Sequence, residues 1–246
     1  MPWFFAVAER DHDIQNPTSP EKIRLLGELV GLGPSSRVLD VACGRGGPAI
    51  VLAQAFGCRI VGVEYAPEFF EVARGRVADA GLQSLIDVVE QDAREFPLEA
   101  NAFDAALCLG ASFIWEGLDG TLAALAPAVR TGGHVVVGEP FWRRWPLPGG
   151  IDACAYTSLG ATAARFDAAD LSLVGVIAAS EHEWDVYESL HWRAIEDWLA
   201  EHRDDPDAGE IRRRHEDARD RYLEFQRELL GWGMFVGRKR GDSARD

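Results

Sequence analysis

The sequence predicts an α/β domain built on a parallel sheet with helices on both faces. Two observations carry that reading. Short apolar runs alternate with helix-like segments over the first two-thirds of the 246 residues, the pattern of strands joined by helical crossovers. The first run ends in a glycine-rich turn, VLDVACGRGGPAIVLA at 38–53, which sends the chain sharply from a strand into a helix.

Each element follows from its residues. A helix is predicted over 20–31. SRVLDVA (36–42), CRIVGVE (58–64), IDVVEQ (86–91), FDAALCLG (103–110) and GHVVVGEP (133–140) are apolar on both parities, as strands covered on both faces must be. Pro48 and Pro67 open helices at first-turn positions where the missing N–H has no partner to lose, and Gly81 closes the second of them. After residue 140 the rhythm changes. FWRRWPLPGG reads as a loop, followed by a short helix and a sixth strand, LSLVGVIAAS (171–180). Two long helices come next. Trp184, Tyr187, His191, Ile195 and Trp198 share one face of 184–202, and Ile211, Ala218, Tyr222, Phe225 and Leu229 share one face of 207–230. HRDDPDAGE joins them as a polar hinge, and GWGMFVGRK (231–239) is the last strand. No repeat or low-complexity linker divides the chain, so residues 1–246 form one domain. Segments 141–170 and 181–230 are insertions into it.

The glycine turn has the form Gly44-x-Gly46-x-x-Ala49, with Glu64 twenty residues on. That spacing fits a dinucleotide loop and its ribose acid, so an NAD-dependent oxidoreductase is one reading. Asp40 argues against it. A carboxylate in the strand entering the turn repels a pyrophosphate and attracts a ligand carrying an ammonium or sulfonium.

Residues 38–47 resemble motif I of the class I S-adenosylmethionine-dependent methyltransferases, with Asp40, Ala42, Gly44 and Gly46 at the motif positions and Ala42 in place of the first glycine. FAVAERDHDIQNPTSPEK, GEPFWR and WDVYESLHWRAIEDWLA extend the resemblance over nearly the whole chain, to a bacterial group of small-molecule methyltransferases. The resemblance implies a Rossmann-like sheet of seven strands, mostly parallel with the last antiparallel, and a helical insertion between the last two strands. It implies S-adenosylmethionine as cofactor. Glu64 would meet the ribose hydroxyls, Asp92 the adenine amine and the Ala93 N–H the ring, and Tyr65 and Leu109 would complete the cofactor contacts. Residues 1–35 would fold over the cofactor, bringing Asn16 to the substrate.

Other assignments rest on position. Glu139 ends the fifth strand at the sheet edge where cofactor and acceptor meet, and partial burial would suit it as a general base; capping a loop or pairing with Arg143 or Arg144 is its structural alternative. Trp115 and Trp142 follow strands four and five, and Trp184 and Tyr187 face inward from the insertion; these are the expected acceptor contacts, against core packing. His182 and Asp185 lie near the sixth strand's exit. Asp92 has a second reading as a helix cap for DAREF. His191 reads as a core or interface histidine, and no His, Asp or Glu cluster has metal-ligand spacing along the chain, so no metal is expected.

Composition narrows the partners. Hydrophobic residues make up 47%, ordinary for a globular chain. Forty Asp and Glu against 25 Lys and Arg give a net charge of −15, which disfavours nucleic acid. The cysteines (43, 58, 108 and 154) form no CxxC pair and suit a reducing compartment. MPWFFAVAERDHD lacks a basic start, and no apolar run is long enough to span a bilayer, so a cytoplasmic protein is expected. The expected function is transfer of a methyl group to a small-molecule acceptor by in-line displacement. The alternative is a protein that holds S-adenosylmethionine without turnover.

Overall fold

The strand-forming runs pair into one seven-stranded sheet in a computed structural model, which describes residues 3–153 and 156–241. The strands are β1 (Arg37–Val41), β2 (Arg59–Glu64), β3 (Ile86–Glu90), β4 (Phe103–Leu109), β5 (Val129–Trp142), β6 (Leu171–Ala178) and β7 (Leu230–Lys239). Their order across the sheet is β3-β2-β1-β4-β5-β7-β6. The first five are parallel, and β7 inserts antiparallel between β5 and β6, as the resemblance implied. β5 runs longer than its apolar core. It starts at Val129, four residues before Gly133, and rejoins β4 after a shift in register between Phe103 and Ala105.

The helices are α1 (Trp3–Ala8), α2 (Pro20–Leu29), α3 (Gly47–Phe56), α4 (Pro67–Asp79), α5 (Leu118–Leu125), α6 (Leu159–Ala168), α7 (Glu181–Glu201) and α8 (Ala208–Arg221). They cover both faces, and strand alternation sorts the core in two. Val136 and Met234 join Ile23, Leu52, Leu107 and Trp142 on one face. Val135, Val137 and Phe235 join Leu39, Leu122 and Phe166 on the other. Each such fully buried side chain contributes about 1.5–3 kcal/mol relative to exposure.

The helical insertion differs from its sequence reading in two places. α7 begins three residues earlier than expected, because Ser180 caps it. The Glu183 N–H donates to the Ser180 hydroxyl, and the Ser180 N–H donates back to the Glu183 carboxylate at 2.7 Å. Glu183 also pairs with Lys22 of α2, so the same carboxylate fastens the insertion to the N-terminal part of the chain. Ser180→Ala is expected to lower stability by about 1 kcal/mol, read by urea denaturation; an unchanged midpoint would mean that Glu183 holds the helix end by itself. The second long helix is also not continuous: α8 passes through a π turn at Tyr222–Gln226 and a last turn at Arg227–Leu229 into β7. At that irregular turn the Tyr222 hydroxyl donates to Asp185 at 2.7 Å and Arg227 donates to both oxygens of the same carboxylate. Asp185 is therefore committed to joining α7 to the π turn, while His182 is exposed.

Residues 9–19, between α1 and α2, do not wander over the surface. They are pinned at three levels. His12 Nε2 meets the Tyr187 carbonyl at 3.0 Å, the Gln15 side chain accepts from the Arg45 N–H at 2.7 Å, and the Asn16 amide donates to the Leu109 carbonyl at 3.1 Å. This stretch thus bridges α7, the glycine turn and the end of β4. Among the described residues, no helix is long and apolar enough to cross a membrane. Cys43, Cys58 and Cys108 are free and buried, and Cys154 lies outside the described residues.

Candidate active site

Parallel strands deliver their carboxyl ends to one edge, and there the motif residues come together. β1 ends at Val41, and the chain turns through Ala42, Gly44 and Gly46 at φ of 53°, 55° and 75°. Glycine takes this left-handed region without strain, whereas Ala42 pays about 1 kcal/mol for it. Absence of a side chain at Gly44 and Gly110 matters for a second reason. A Cβ on Gly44 would lie 2.0 Å from Gln15 Oε1, and one on Gly110 would lie 2.3 Å from Asn16 Oδ1. The glycines therefore let the N-terminal stretch lie directly on the turn.

Asp40 lies one residue before the end of β1, opposite Gly62, and Glu64 ends β2 two residues beyond that; both carboxylates are buried. Glu64 is fully engaged with the backbone: its oxygens accept from the N–H groups of Gly44 at 2.9 Å and Ala66 at 2.8 Å. Burial still pushes its pKa up. Asp40 lacks such support. Its Oδ2 is buried with no hydrogen-bond partner, and burial, with Glu64 adding repulsion, raises its carboxyl to about 7. A carboxylate in this position is matched by a cationic ligand and mismatched to a pyrophosphate.

Asp92 follows β3, but DAREF forms a tight turn rather than a helix. The Asp92 carboxylate accepts from the Arg94 backbone N–H at 2.9 Å and from the Arg94 guanidinium at 2.5–3.1 Å, which holds its pKa down at about 2. The capping reading is thus replaced by a side chain closing its own turn. Ala93 is buried beside it, Tyr65 is exposed beyond Glu64, and Leu109 ends β4 with its carbonyl held by Asn16.

Residues 38–133 match the model of a methyltransferase domain. The chain is 31% identical over 243 residues to the uncharacterised Escherichia coli protein YjhP, spanning 96% of this chain and 98% of that one. A SAM-dependent methyltransferase from Geobacter sulfurreducens, solved with S-adenosylhomocysteine, superposes with a TM-score of 0.90 at 30% identity over 98% of this chain and 99% of the other. Its counterpart from Thiobacillus denitrificans, also with S-adenosylhomocysteine, gives 0.90 at 32% identity over 98% and 99%. The chain belongs to the class I S-adenosylmethionine-dependent methyltransferases. Within that class it falls in the bacterial group represented by YjhP and these two full-length relatives. Its cofactor is S-adenosylmethionine, and the orphaned Asp40 oxygen and the glycine turn fit that group. The NAD reading is set aside.

The residues assigned to the acceptor separate into those the fold gathers and those it does not. Trp184 and Tyr187 meet edge to face at 6.0 Å, and Tyr187 lies 4.4 Å from His191 and 4.8 Å from His12, ring centre to ring centre. Trp142 is elsewhere occupied: it is 3% exposed, with its indole N–H on the Ala153 carbonyl at 3.0 Å. Trp115 packs against the opposite face's core, beside Leu118 and Leu122. Glu139 shares a strand parity with Val137 and Phe141, so its side chain leaves β5 on that face, away from Trp142 and Trp184. Burial raises its pKa, opposed by a hydrogen bond from Ser112 and by Arg165. Neither Arg143 nor Arg144 is its partner there.

The sequence reading missed a further group. Glu9, His12 and His191 converge although 179 residues separate the second and third. Glu9 Oε1 lies 2.9 Å from His191 Nε2 and 3.1 Å from the Tyr187 hydroxyl. The only sequence signal was the Glu9–His12 spacing of three residues.

Proposed function

We propose that the protein transfers the methyl group of S-adenosylmethionine to a small-molecule acceptor held between the N-terminal stretch and α7. The observation that carries this reading is the continuous cover formed by residues 12–16, joined at one end to α7 through Tyr187 and at the other to the glycine turn and Leu109. A cover tied down on both sides suits an acceptor small enough to be enclosed, and the charge of −15 repels a polyanion. Asp40, Ala42, Gly44, Gly46, Glu64, Tyr65, Asp92, Ala93 and Leu109 would hold the cofactor, with Asp40 facing its cationic part. Asn16, Trp184 and Tyr187 would line the acceptor side, and Trp115 and Trp142 would support the walls from the core. The cofactor supplies an electrophilic methyl on a sulfonium. The chain's task is to align the acceptor with it and exclude water, which can account for much of the rate. Labelled-methyl transfer into a fractionated metabolite extract, with mass spectrometry of the product, tests the reading. Turnover on no fraction, with S-adenosylhomocysteine still bound, would favour a protein that holds the cofactor without reaction.

Glu139 leaves β5 on the face away from Trp184 and Tyr187 and is held by Ser112, in the 3-10 turn after β4, so its role in turnover would be exerted at the carboxyl edge of the sheet rather than from the α7 side. Glu139→Gln keeps the shape and removes the charge. Turnover should fall by on the order of a hundredfold with cofactor affinity intact. Loss of the acidic limb of the pH–rate profile would make Glu139 the base, and a slower enzyme with the parent's profile would make it the residue that positions Ser112. Parent-like turnover would remove it from the site.

A further inference from the structure

Where α1 ends and the cover begins, three potential metal ligands face one another. Glu9, at 6% exposure, and His12, at 1%, are one helical turn apart. His191 reaches them from α7, and one ligand atom from each of the three lies within 4.8 Å of the others. Glu9 Oε2 and His12 Nδ1 are buried and have no hydrogen-bond partner. They stand 3.8 Å apart, too far to satisfy each other. Two buried polar atoms left this way are costly unless something else meets them.

The outer partner of His12 has the arrangement that a metal-binding histidine needs. A ligating imidazole donates its other N–H to a carbonyl or carboxylate, which fixes the tautomer and aims the free lone pair. His12 Nε2 lies 3.0 Å from the Tyr187 carbonyl, so that nitrogen carries the proton and Nδ1 keeps its lone pair toward Glu9. His191 turns its Nε2 toward Glu9, and its Nδ1 lies 4.0 Å from the Glu188 carboxylate on the same helix, beyond direct hydrogen-bond reach. Donors about 2.0–2.1 Å from one ion sit about 2.9 Å apart in octahedral and about 3.4 Å in tetrahedral coordination. The separations seen here are 2.9 Å from His191 Nε2 to Glu9 Oε1 and 3.8 Å from His12 Nδ1 to Glu9 Oε2, with one ligand atom of each residue within 4.8 Å of the others, so the three side chains need to draw in slightly around an ion.

We propose that Glu9, His12 and His191 form a binding site for a divalent transition-metal ion. Two imidazoles and one carboxylate favour zinc or iron over magnesium or calcium, which take oxygen donors. An arriving ion would take over the pairing of His191 with Glu9 and meet the unpartnered Glu9 Oε2 and His12 Nδ1. Three protein donors leave a coordination position open, the pattern of sites that bind a water or a substrate atom. The ion would also lock the cover onto α7. The site stands or falls separately from methyl transfer, because ion binding is read without turnover.

The test uses the full chain, stripped with a chelator and titrated with Zn²⁺, with Co²⁺ substituted to read ligand-field absorption. One ion per chain is expected. Glu9→Gln keeps the side-chain shape and the Tyr187 hydrogen bond, and His12→Ala removes a donor; each should weaken Zn²⁺ binding at least about a hundredfold. Circular dichroism melting of both variants reports whether the fold survives, and His134→Ala, outside the cluster, should bind as the parent does. A parent that retains no Zn²⁺ at micromolar concentration, or a folded variant of either kind that binds as tightly as the parent, would overturn the proposal and leave an ion pair.

Discussion

Asp40→Asn should stabilise the cofactor-free protein at pH 8 while weakening S-adenosylhomocysteine binding. The two opposite signs come from one carboxylate. Asp40 is buried next to Glu64, and its pKa stands at about 7 against an ordinary 3.8. A folded-state pKa raised above the unfolded one gives stability that is full below the unfolded value and is lost as pH rises through the folded one. The parent therefore loses stability between about pH 4 and 7, and at pH 8 carries the cost of an ionised buried group, on the order of a few kcal/mol. Asparagine removes that cost and should flatten the pH dependence in the same window. The same charge would face the α-ammonium, the one cationic group that S-adenosylhomocysteine keeps, so the variant should bind it more weakly by roughly 1–3 kcal/mol. A further consequence is proton release. Below pH 7, calorimetric titration of the parent with the cofactor product should show a buffer-dependent heat, absent in Asp40→Asn. A parent whose binding heat is independent of buffer at pH 6 would show that Asp40 does not face the cofactor's charge.

Gly47→Ala should open the cover over the cofactor. An added Cβ would lie 2.0 Å from the Asp13 carbonyl oxygen and 2.9 Å from Ile14 Cγ1. The Asp13 backbone has little freedom to retreat, because Arg76 donates to its carbonyl at 3.0 Å, pairs with its carboxylate at 2.8 Å and also holds the Arg45 carbonyl at 2.9 Å. The expected cost is about 1–3 kcal/mol of stability, typical of overpacking. Faster hydrogen exchange over residues 9–19 and at least tenfold weaker S-adenosylhomocysteine binding should accompany it. Gly75→Ala is the control: it lies within α4 with nothing within 4 Å of the added carbon, and should be neutral or stabilising by up to about 1 kcal/mol. Parental exchange and affinity in Gly47→Ala would mean that the N-terminal stretch does not govern access to the cofactor.

The sequence by itself determined what local chemistry can write. Apolar runs on both parities fix buried strands, prolines fix helix starts, and Asp40, Gly44, Gly46 and Glu64 mark a glycine-rich strand–turn–helix whose entering carboxylate disfavours a pyrophosphate, since each of these signals is confined to a few neighbouring residues. The helix ends were less legible. Ser180 moved the start of α7, and the break at Tyr222 follows no local breaker but coincides with hydroxyl and guanidinium contacts to Asp185. Side-chain partners were decided only by the tertiary structure. Glu139 was expected to end its strand, but β5 continues to Trp142 through its pairing with β7, and which face Glu139 leaves from depends on that register. Trp142 was recognised as an aromatic at the sheet edge, but its indole N–H was claimed by a loop carbonyl eleven residues on. The meeting of Glu9 and His12 with His191 had no sequence signature beyond the three-residue spacing of the first two. It exists because α1 packs on α7, with six of the seven strands between them in the chain, and contacts across such separations follow from how the elements pack rather than from any pattern within them.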